Sequence, residues 1–252
     1  MKVAISLCPN DIFIYSGLIL NKIPNSICFD ILDITNLNKM LSSSSYDFIK
    51  VSSLTLLKSE EYKVTKVGAS LARYKGPQLA KKCGGSPTGS IVGVPSLHST
   101  ATRLSMKYFP HLKPREYPLK DITASLVAGG LPYAIILNED MNRLEELGLE
   151  SLCDLGLRWN REFNAFLPLG VVASRRNIPD SDVEYFEELV SLSLEWANKN
   201  LDQAVGLTQE YAGKKDINSD HIKLFTQDAY RNPDISIYLE KLAQSLHIDD
   251  GI

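Results

Sequence analysis

The chain has 252 residues, of which 44% are hydrophobic, with 27 Lys and Arg against 30 Asp and Glu, for a formal charge of −3. Its length exceeds the usual single core of about 100–150 residues, so it predicts one large domain or two smaller lobes. Because no cluster of Lys and Arg stands out, the composition argues against nucleic acid or an anionic membrane as the main partner, and favours a small molecule or a protein.

The N-terminus and the cysteines both predict a cytoplasmic protein. The apolar run at residues 3–7 stops before Pro9 and is too short for a secretion signal, whose apolar core takes about 7–15 residues. No apolar run reaches the roughly 18 residues that span a bilayer. The cysteines form no CxxC pair and have no His close in sequence, which indicates buried, reduced thiols rather than a disulfide framework or a metal site. They are Cys8, Cys28, Cys83 and Cys153.

Strand-like and helix-like segments alternate from the N-terminus and predict a parallel sheet covered by helices. Short apolar runs indicate the strands, and N-cap residues or three- and four-residue apolar spacing indicate the helices. The predicted strands are 2–7, 27–31, 48–51 and 62–71, with helices at 12–20 and 36–42 and a helix start at Ser52.

A run rich in Gly, Pro, Ser and Thr at 83–89 is the strongest break in the sequence and predicts a lobe boundary. A second alternation follows it. Its segments are 91–94, 99–108, 122–127, 133–137 and 166–174. From Asp180 the pattern is helical to the end, with Tyr185, Leu189, Leu192 and Trp196 at helical spacing. We therefore predict that residues 1–88 begin the first lobe, that 89–168 form the second, and that 169–252 return to the first with C-terminal helices.

Polar residues gather where the predicted strands end and helices begin. In open α/β sheets ligands bind at these points, because helix N-termini present backbone N–H groups to anions. The pairs are Asn10–Asp11, Ser52–Ser53, Ser99–Thr100 and Asn138–Glu139. Together they predict a cleft between the lobes that binds a small carboxylate, and N-capping is the alternative role of each pair.

Several segments resemble the 1,4-dihydroxy-6-naphthoate synthases of the futalosine route to menaquinone. Residues 6–13, SLCPNDIF, resemble that family's opening SPCPNDTF, and residues 47–52, DFIKVS, resemble its DxTKxS. Residues 95–101, PSLHSTA, are similar to its PGxxTTA. The later matches are Gly76–Pro77 to the end of its GRGxGP loop, Asp154–Gly156 with Trp159 to DLGxxW, and Leu167–Gly170 to PLPLG. The resemblance covers roughly residues 1–176.

This resemblance implies a two-lobed α/β fold like the type II periplasmic solute-binding proteins, in which each lobe is a mixed, mostly parallel sheet flanked by helices. It implies a carbon–carbon lyase that cleaves cyclic de-hypoxanthine futalosine to 1,4-dihydroxy-6-naphthoate without a redox cofactor or a metal. Such chemistry needs a base, donors for a developing oxyanion and exclusion of water. The predicted substrate-binding residues are Asn10, Asp11, Ser52, Ser53, Gly76, Pro77, Ser99, Thr100, Glu139, Leu169 and Gly170.

The family's base is a His, and the matching position in this sequence is Asn138. An amide cannot take up a proton near neutral pH, whereas an imidazole ordinarily can. Three hypotheses follow. His98, whose loop lies across the same cleft in the family, replaces the base; or Asn138 orients a substrate group in an altered reaction; or the chain binds without catalysis. The alternative for His98 is an ordinary solvent-exposed loop residue.

Other assignments also have alternatives. Asn10 and Asp11 cap the first helix as well as lining the cleft, and Gly76–Pro77 is equally explained by a crossover turn. Trp159 is predicted to be a core residue rather than a stacking platform. For the whole chain, the alternatives to the lyase are an enzyme of the chorismate dehydratase type and a cytosolic binding module for a small aromatic carboxylate. The sequence predicts no particular oligomeric state.

Overall fold

The structure is a computed structural model that describes residues 1–43, 46–213, 217, 222, 226, 232 and 234–247. The chain divides into two compact units. Unit 1 contains Met1–Leu71 and Gly170–Leu239, and unit 2 contains Ala72–Leu169 and the part of the last helix from Glu240 onward. No helix among these described residues is both long and apolar enough to cross a membrane.

The divisions of the chain follow long-range pairing rather than local composition. The first falls after Leu71, ahead of the glycine-rich run where the sequence places it, because residues 78–82 pair with strands of unit 2. The second falls after Leu169, one residue from the boundary that the sequence places after residue 168. The last helix is shared, since its C-terminal half groups with unit 2.

Unit 1 is built on a six-stranded mixed sheet in the order β2-β1-β3-β11-β4, with β5 paired to β11. Its strands are β1 (Lys2–Ser6), β2 (Cys28–Leu32), β3 (Phe48–Ser52), β4 (Tyr62–Val64), β5 (Ser70–Ala72) and β11 (Leu167–Arg175). β1 is parallel to β2 and β3, whereas β11 runs antiparallel between β3 and β4. The ends of β1 and β3 and the beginning of β11 therefore lie at one edge of the sheet.

Helices cover this sheet and complete its core. They are α1 (Pro9–Ile19), α2 (Ile34–Met40), α3 (Ser53–Leu56), α7 (Asp180–Lys199) and α8 (Leu201–Ala212). α1 packs against α7 and α8 and is buried from Asp11 to Leu18, as expected for a helix that is apolar nearly all round. The rings of Phe48 and Phe186 stack 3.8 Å apart in the same apolar cluster.

Unit 2 contains a five-stranded mixed sheet in the order β10-β6-β9-β7-β8. Its strands are β6 (Gln78–Lys82), β7 (Ile91–Val94), β8 (Lys113–Glu116), β9 (Tyr133–Ile136) and β10 (Leu149–Asp154). Its helices are α4 (Thr100–Tyr108), α5 (Leu119–Val127), α6 (Leu155–Phe163) and the shared α9 (Ile235–Ser245), with a 3-10 helix at Asn138–Asn142. Trp159 is fully buried, as predicted, and its indole N–H donates to the Ser245 hydroxyl at 3.1 Å.

The mixed α/β architecture agrees with the fold class expected from the sequence, and two local expectations are wrong. Residues 62–71 form two strands rather than one, because the chain turns at Gly68, whose φ is +68°. Cys28 and Cys83 are exposed rather than buried.

Candidate functional site

Most of the predicted site residues of unit 1 lie at the edge where β1 and β3 end. We call this the unit 1 edge, and it consists of Ser6, Asn10, Asp11, Lys50, Ser52, Ser53 and Gly170. Asn10 is the second residue of α1 and is half-buried. Gly170 lies opposite Ser52 in the antiparallel pairing of β11 with β3. The structure thus brings together five of the residues predicted to bind substrate and adds Ser6 and Lys50.

A buried ion pair lies at the centre of the unit 1 edge. The Lys50 ammonium lies 2.7 Å from Oδ1 of Asp11, and the two side chains are only 3% and 2% exposed. The ammonium also donates to the Gly68 carbonyl at 2.7 Å and lies 3.3 Å from the Ser70 hydroxyl. The second carboxylate oxygen of Asp11 accepts the hydroxyl hydrogen of Ser6. Asp11, predicted as a ligand contact, is therefore held inside the protein.

The same carboxylate affects a neighbouring phenol. Tyr15 is completely buried on α1, and burial, followed by the negative charge of Asp11, raises its pKa well above the ordinary value. Its hydroxyl therefore stays neutral throughout the physiological range. A side chain at Gly68 would place its Cβ 3.2 Å from this hydroxyl and 2.7 Å from Val172, so this turn needs glycine for space as well as for its positive φ.

Ser52 ends β3 and begins the short helix α3. Its backbone N–H donates to the side-chain oxygen of Asn38 at 2.8 Å. Its hydroxyl accepts the N–H of Thr55 at 3.3 Å and lies 2.8 Å from the Thr55 hydroxyl. The Ser52 and Thr55 hydroxyls share one hydrogen bond, which uses only one of their two protons. The other proton is therefore available to a ligand. The neighbouring Ser53 is fully buried, and its hydroxyl has no partner among the described residues.

Three loops of unit 2 lie at one edge of its sheet, which we call the unit 2 edge. Gly76–Pro77 leads into β6, residues 95–99 follow β7, and Asn138 follows β9. They share the edge because β9 is parallel to β7, while β6 runs antiparallel to β9 with Gln78 opposite Ile136. The predicted pairs Gly76–Pro77, Ser99–Thr100 and Asn138–Glu139 are thus at the same edge.

The Gly76–Pro77 loop is held by Asp154, whose role the sequence does not reveal. Both carboxylate oxygens of Asp154 lie 3.1 Å from the Gly76 nitrogen, and Gln78 donates to the carboxylate at 2.6 Å and to the Gly76 carbonyl at 2.7 Å. A Cβ at Gly76 would lie 2.5 Å from Cα of Gly156. This close backbone contact explains why glycine occupies both positions.

The loop that follows β7 is also held by hydrogen bonds between nearby residues of the same segment. Ser99 caps α4 by accepting the N–H of Thr102 at 3.2 Å, and the two hydroxyls lie 2.8 Å apart. The Thr102 hydroxyl donates to the Ser96 carbonyl at 2.8 Å, so the proton between the two hydroxyls comes from Ser99. Ser99 can therefore accept, but cannot donate, one more hydrogen bond. His98 is exposed and Thr100 is buried.

The remaining predicted site residues have these positions. The backbone of Asn138 and Glu139 begins the 3-10 helix after β9, while their side chains lie outside the described part of the structure. Leu169 is half-buried on β11 and is the last residue of its segment in unit 2. No group of three or more His, Cys, Asp or Glu side chains within the described ranges is arranged to hold a metal ion. The donors that both edges do offer are hydroxyl and backbone N–H groups.

The sequence matches known proteins over nearly its whole length. A family model described as menaquinone biosynthesis matches residues 1–237. The chain belongs to the menaquinone biosynthesis family. Two curated relatives are named 1,4-dihydroxy-6-naphthoate synthase. The protein from Streptomyces coelicolor is 25% identical over 90% of this chain and 85% of its own length. The protein from Thermus thermophilus is 24% identical over 84% of this chain and 79% of its own.

Solved structures show the fold of this family member. Protein AF1704 from Archaeoglobus fulgidus aligns with a TM-score of 0.87 at 23% identity, over 100% of this chain and 98% of that one. The periplasmic aliphatic sulphonate-binding protein SsuA from Escherichia coli aligns with a TM-score of 0.68 at 12% identity, over 98% and 86%. A Candida albicans protein described as having the generic periplasmic binding protein fold aligns at 0.64 and 13%, over 98% and 89%. The chain therefore has the fold of the periplasmic binding proteins.

Proposed function

We propose that this member of the menaquinone biosynthesis family is a carbon–carbon lyase that cleaves cyclic de-hypoxanthine futalosine to 1,4-dihydroxy-6-naphthoate. The observation that carries the proposal is the match of residues 1–237 to the family, together with two relatives named as that synthase. The unit 1 edge supports it, because three segments that resemble the family's CPND, DxTKxS and PLG motifs meet there around one buried ion pair.

The unit 1 edge supplies donors suited to a substrate carboxylate or hydroxyl. The Ser52–Thr55 pair retains one hydroxyl proton, and the Asn10 amide stands half-buried at the start of α1. A helix N-terminus favours negative charge through its free N–H groups. We assign Ser52 and Asn10 to substrate binding in unit 1, and the N-terminus of α4, which Ser99 caps, to the same function in unit 2.

The base is the open chemical question, and His98 is our candidate. An Asn at position 138 cannot hold the proton that the reaction removes. His98 is exposed on the loop after β7, at the same sheet edge as the backbone of Asn138. Its side chain is therefore accessible to a bound molecule. In this assignment Asn138 orients a polar group of the substrate, and His98 takes the proton.

Incubation with cyclic de-hypoxanthine futalosine, followed by mass analysis, tests the proposal directly. We expect formation of 1,4-dihydroxy-6-naphthoate together with a sugar-derived fragment. No product at high enzyme concentration would contradict the lyase function. Recovery of intact substrate with ligand-induced thermal stabilisation would indicate a binding module, and conversion of chorismate in a parallel assay would indicate a chorismate dehydratase.

One substitution and a matched control test whether His98 is the base. His98→Ala should lower kcat about 10²-fold or more, because a general base contributes about 10²–10⁴ in rate. His111→Ala is the matched control, since His111 is also exposed in unit 2 but lies before β8, away from the unit 2 edge. Equal rates for wild type and His98→Ala would exclude His98.

A gain-of-function variant tests the other position. If position 138 has lost a base, Asn138→His should raise the rate about tenfold or more by returning an imidazole to the position the family uses. The measurement is kcat against pH for the wild type and the variant. A rate that falls or stays the same would show that Asn138 has a binding role of its own.

A further inference from the structure

The unit 1 edge contains a lysine that no substrate-binding assignment uses. We propose that Lys50 is a positioning residue, whose buried ammonium sets the placement of the two segments that carry Asn10 and Ser52. This inference rests on the proposed function, because the placement of these segments matters only if they bind substrate. It adds to that function a residue that does not touch the ligand and acts through its neighbours.

The ion pair joins the two segments directly. Asp11 follows Asn10 in α1, and Lys50 precedes Ser52 by two residues on β3, so Lys50 and Ser52 lie on the same face of the strand. The 2.7 Å contact between the ammonium and Asp11 therefore connects the start of α1 to the end of β3. We therefore expect loss of this contact to displace Asn10 relative to Ser52.

The lysine is held with little freedom. An ammonium has three N–H donors, and three oxygens surround this one, from Asp11, Gly68 and Ser70. Gly170 closes the space on the other side, since a Cβ there would lie 3.2 Å from Cε of Lys50. A glycine at position 170 thus leaves room for the Lys50 side chain.

Stability alone does not require a charged pair at this position. Lys50 lies opposite Val172 in the β3–β11 register, and Val172 belongs to the apolar cluster under α1. An apolar side chain on that face would pack against the cluster, and replacing a buried ion pair by apolar residues is often neutral or stabilising. A charge placed on an apolar face, between two ligand-binding segments, indicates a functional role in geometry.

A double variant separates positioning from stability. Lys50→Met alone leaves the Asp11 carboxylate buried without its partner and should lower Tm by about 10 °C. Lys50→Met combined with Asp11→Asn removes both charges and should recover most of that loss. We expect kcat/KM of the double variant to stay about tenfold or more below wild type, because a displacement of about 1 Å can cost 10²-fold.

A matched control is available in the same unit. Lys63 and Asp180 form an exposed ion pair with the same 2.7 Å separation, away from the unit 1 edge. Lys63→Met with Asp180→Asn should leave both Tm and kcat/KM near wild type. If the Lys50 double variant regains its Tm and also has wild-type kcat/KM, the positioning role is overturned and the lyase function stands.

A milder variant covers the case in which the double variant does not regain its Tm. Ser70→Ala removes one oxygen from the ammonium but keeps the ion pair, so it should lower Tm by only about 2–4 °C and raise KM about two- to threefold. An unchanged KM would overturn the inference.

Binding of 1,4-dihydroxy-6-naphthoate, measured by calorimetry, gives the same comparison without turnover. A wild type that neither converts the substrate nor binds this naphthoate would contradict the proposed function itself.

Discussion

At the scale of single residues, the proton count of a hydroxyl group decides what each capping serine can do. Ser52 and Ser99 both cap a helix and both lie 2.8 Å from the hydroxyl of the threonine three residues later. Only the pair that includes Ser52 retains a proton, because Thr102 gives its own to the Ser96 carbonyl. Serines in the same sequence pattern therefore differ in what they can offer a carboxylate.

This difference predicts different effects of two alanine substitutions. Ser52→Ala and Ser99→Ala should each lower the free energy of unfolding by about 1 kcal/mol through the lost N-cap. Ser52→Ala should in addition weaken binding of 1,4-dihydroxy-6-naphthoate about tenfold, as expected for a lost hydrogen bond to a charged group. Ser99→Ala should leave the affinity nearly unchanged. Calorimetric titration beside thermal unfolding measures both, and equal losses of affinity would contradict the assignment.

The sequence predicts the residues of the unit 1 edge better than their roles. Strand ends followed by Asn, Asp and Ser are visible in the sequence, and the structure places Asn10, Asp11 and Ser52 at one edge. The sequence does not show that the Asp11 side chain is buried, because its partner Lys50 lies on β3, far from Asp11 in the sequence. The one available signal is Lys50 itself, a charge inside the otherwise apolar strand segment 48–51.

At the scale of helices and strands, α4 and α6 are joined by one carboxylate. Glu162 accepts the phenol hydrogen of Tyr108 at 2.7 Å and lies 3.2 Å from the Lys107 ammonium. Burial alone raises the pKa of the Glu162 carboxyl, but the hydrogen bonds from Tyr108 and Lys107, together with the positive charges of Lys107 and Arg158, outweigh burial and bring the pKa below its ordinary value of 4.5. The Arg158 guanidinium stacks 4.1 Å from the Tyr108 ring and adds to this effect.

The lowered pKa gives Glu162 a defined effect on acid stability. A carboxyl whose folded pKa is below its unfolded value stabilises the fold above pH 4.5, and this contribution is lost as pH falls through the folded value. Glu162→Gln should therefore be less stable than wild type at pH 6, and the gap should narrow toward pH 3. Urea unfolding at several pH values measures it, with Glu184→Gln on the exposed face of α7 as control. A gap independent of pH would contradict the ion pair.

Of the strands that the sequence misses, the outer strands β8 and β10 have a physical reason in common, whereas β6 lies inside the unit 2 sheet. β1, β3 and β7 lie inside their sheets and read as apolar runs, which makes them visible. β8 and β10 are the outer strands of the unit 2 sheet, so β8 is largely exposed, β10 is partly exposed, and neither has a regular apolar pattern. β8 has the sequence KPRE, which no periodicity identifies as a strand. Only pairing with β7 defines it.

At the scale of the whole molecule, the C-terminal half of the last helix is part of the core of unit 2. The Ser245 hydroxyl accepts the buried indole N–H of Trp159 at 3.1 Å, and the Ser245 carbonyl accepts from Lys107 at 2.9 Å. Ser245→Ala leaves a buried donor without a partner and should lower the free energy of unfolding by about 1–3 kcal/mol. Ser236→Ala, exposed on the same helix, is the control. Chemical unfolding followed by tryptophan fluorescence measures both, and equal effects would show that the bond adds nothing.

The sequence predicts two α/β lobes, and the structure contains two α/β units, but the division differs. Composition marks the glycine-rich run at 83–89, whereas the structure divides the chain after Leu71. The grouping of β6 and of α9 depends on partners far away in sequence. Local patterns predict elements, and only long-range pairing decides which unit each element joins.

The path of β11 and α9 has a consequence for the order in which the protein can fold during its synthesis. β11 lies in the middle of the unit 1 sheet, between β3 and β4, so the ribosome must extend the chain beyond Arg175 before that sheet can close. In unit 2, the Trp159 indole has its hydrogen-bond partner only after synthesis reaches Ser245. Neither half of this sequence therefore contains a unit that can finish folding alone, and synthesis must pass Arg175 for unit 1 and reach Ser245 for unit 2 before their cores are complete.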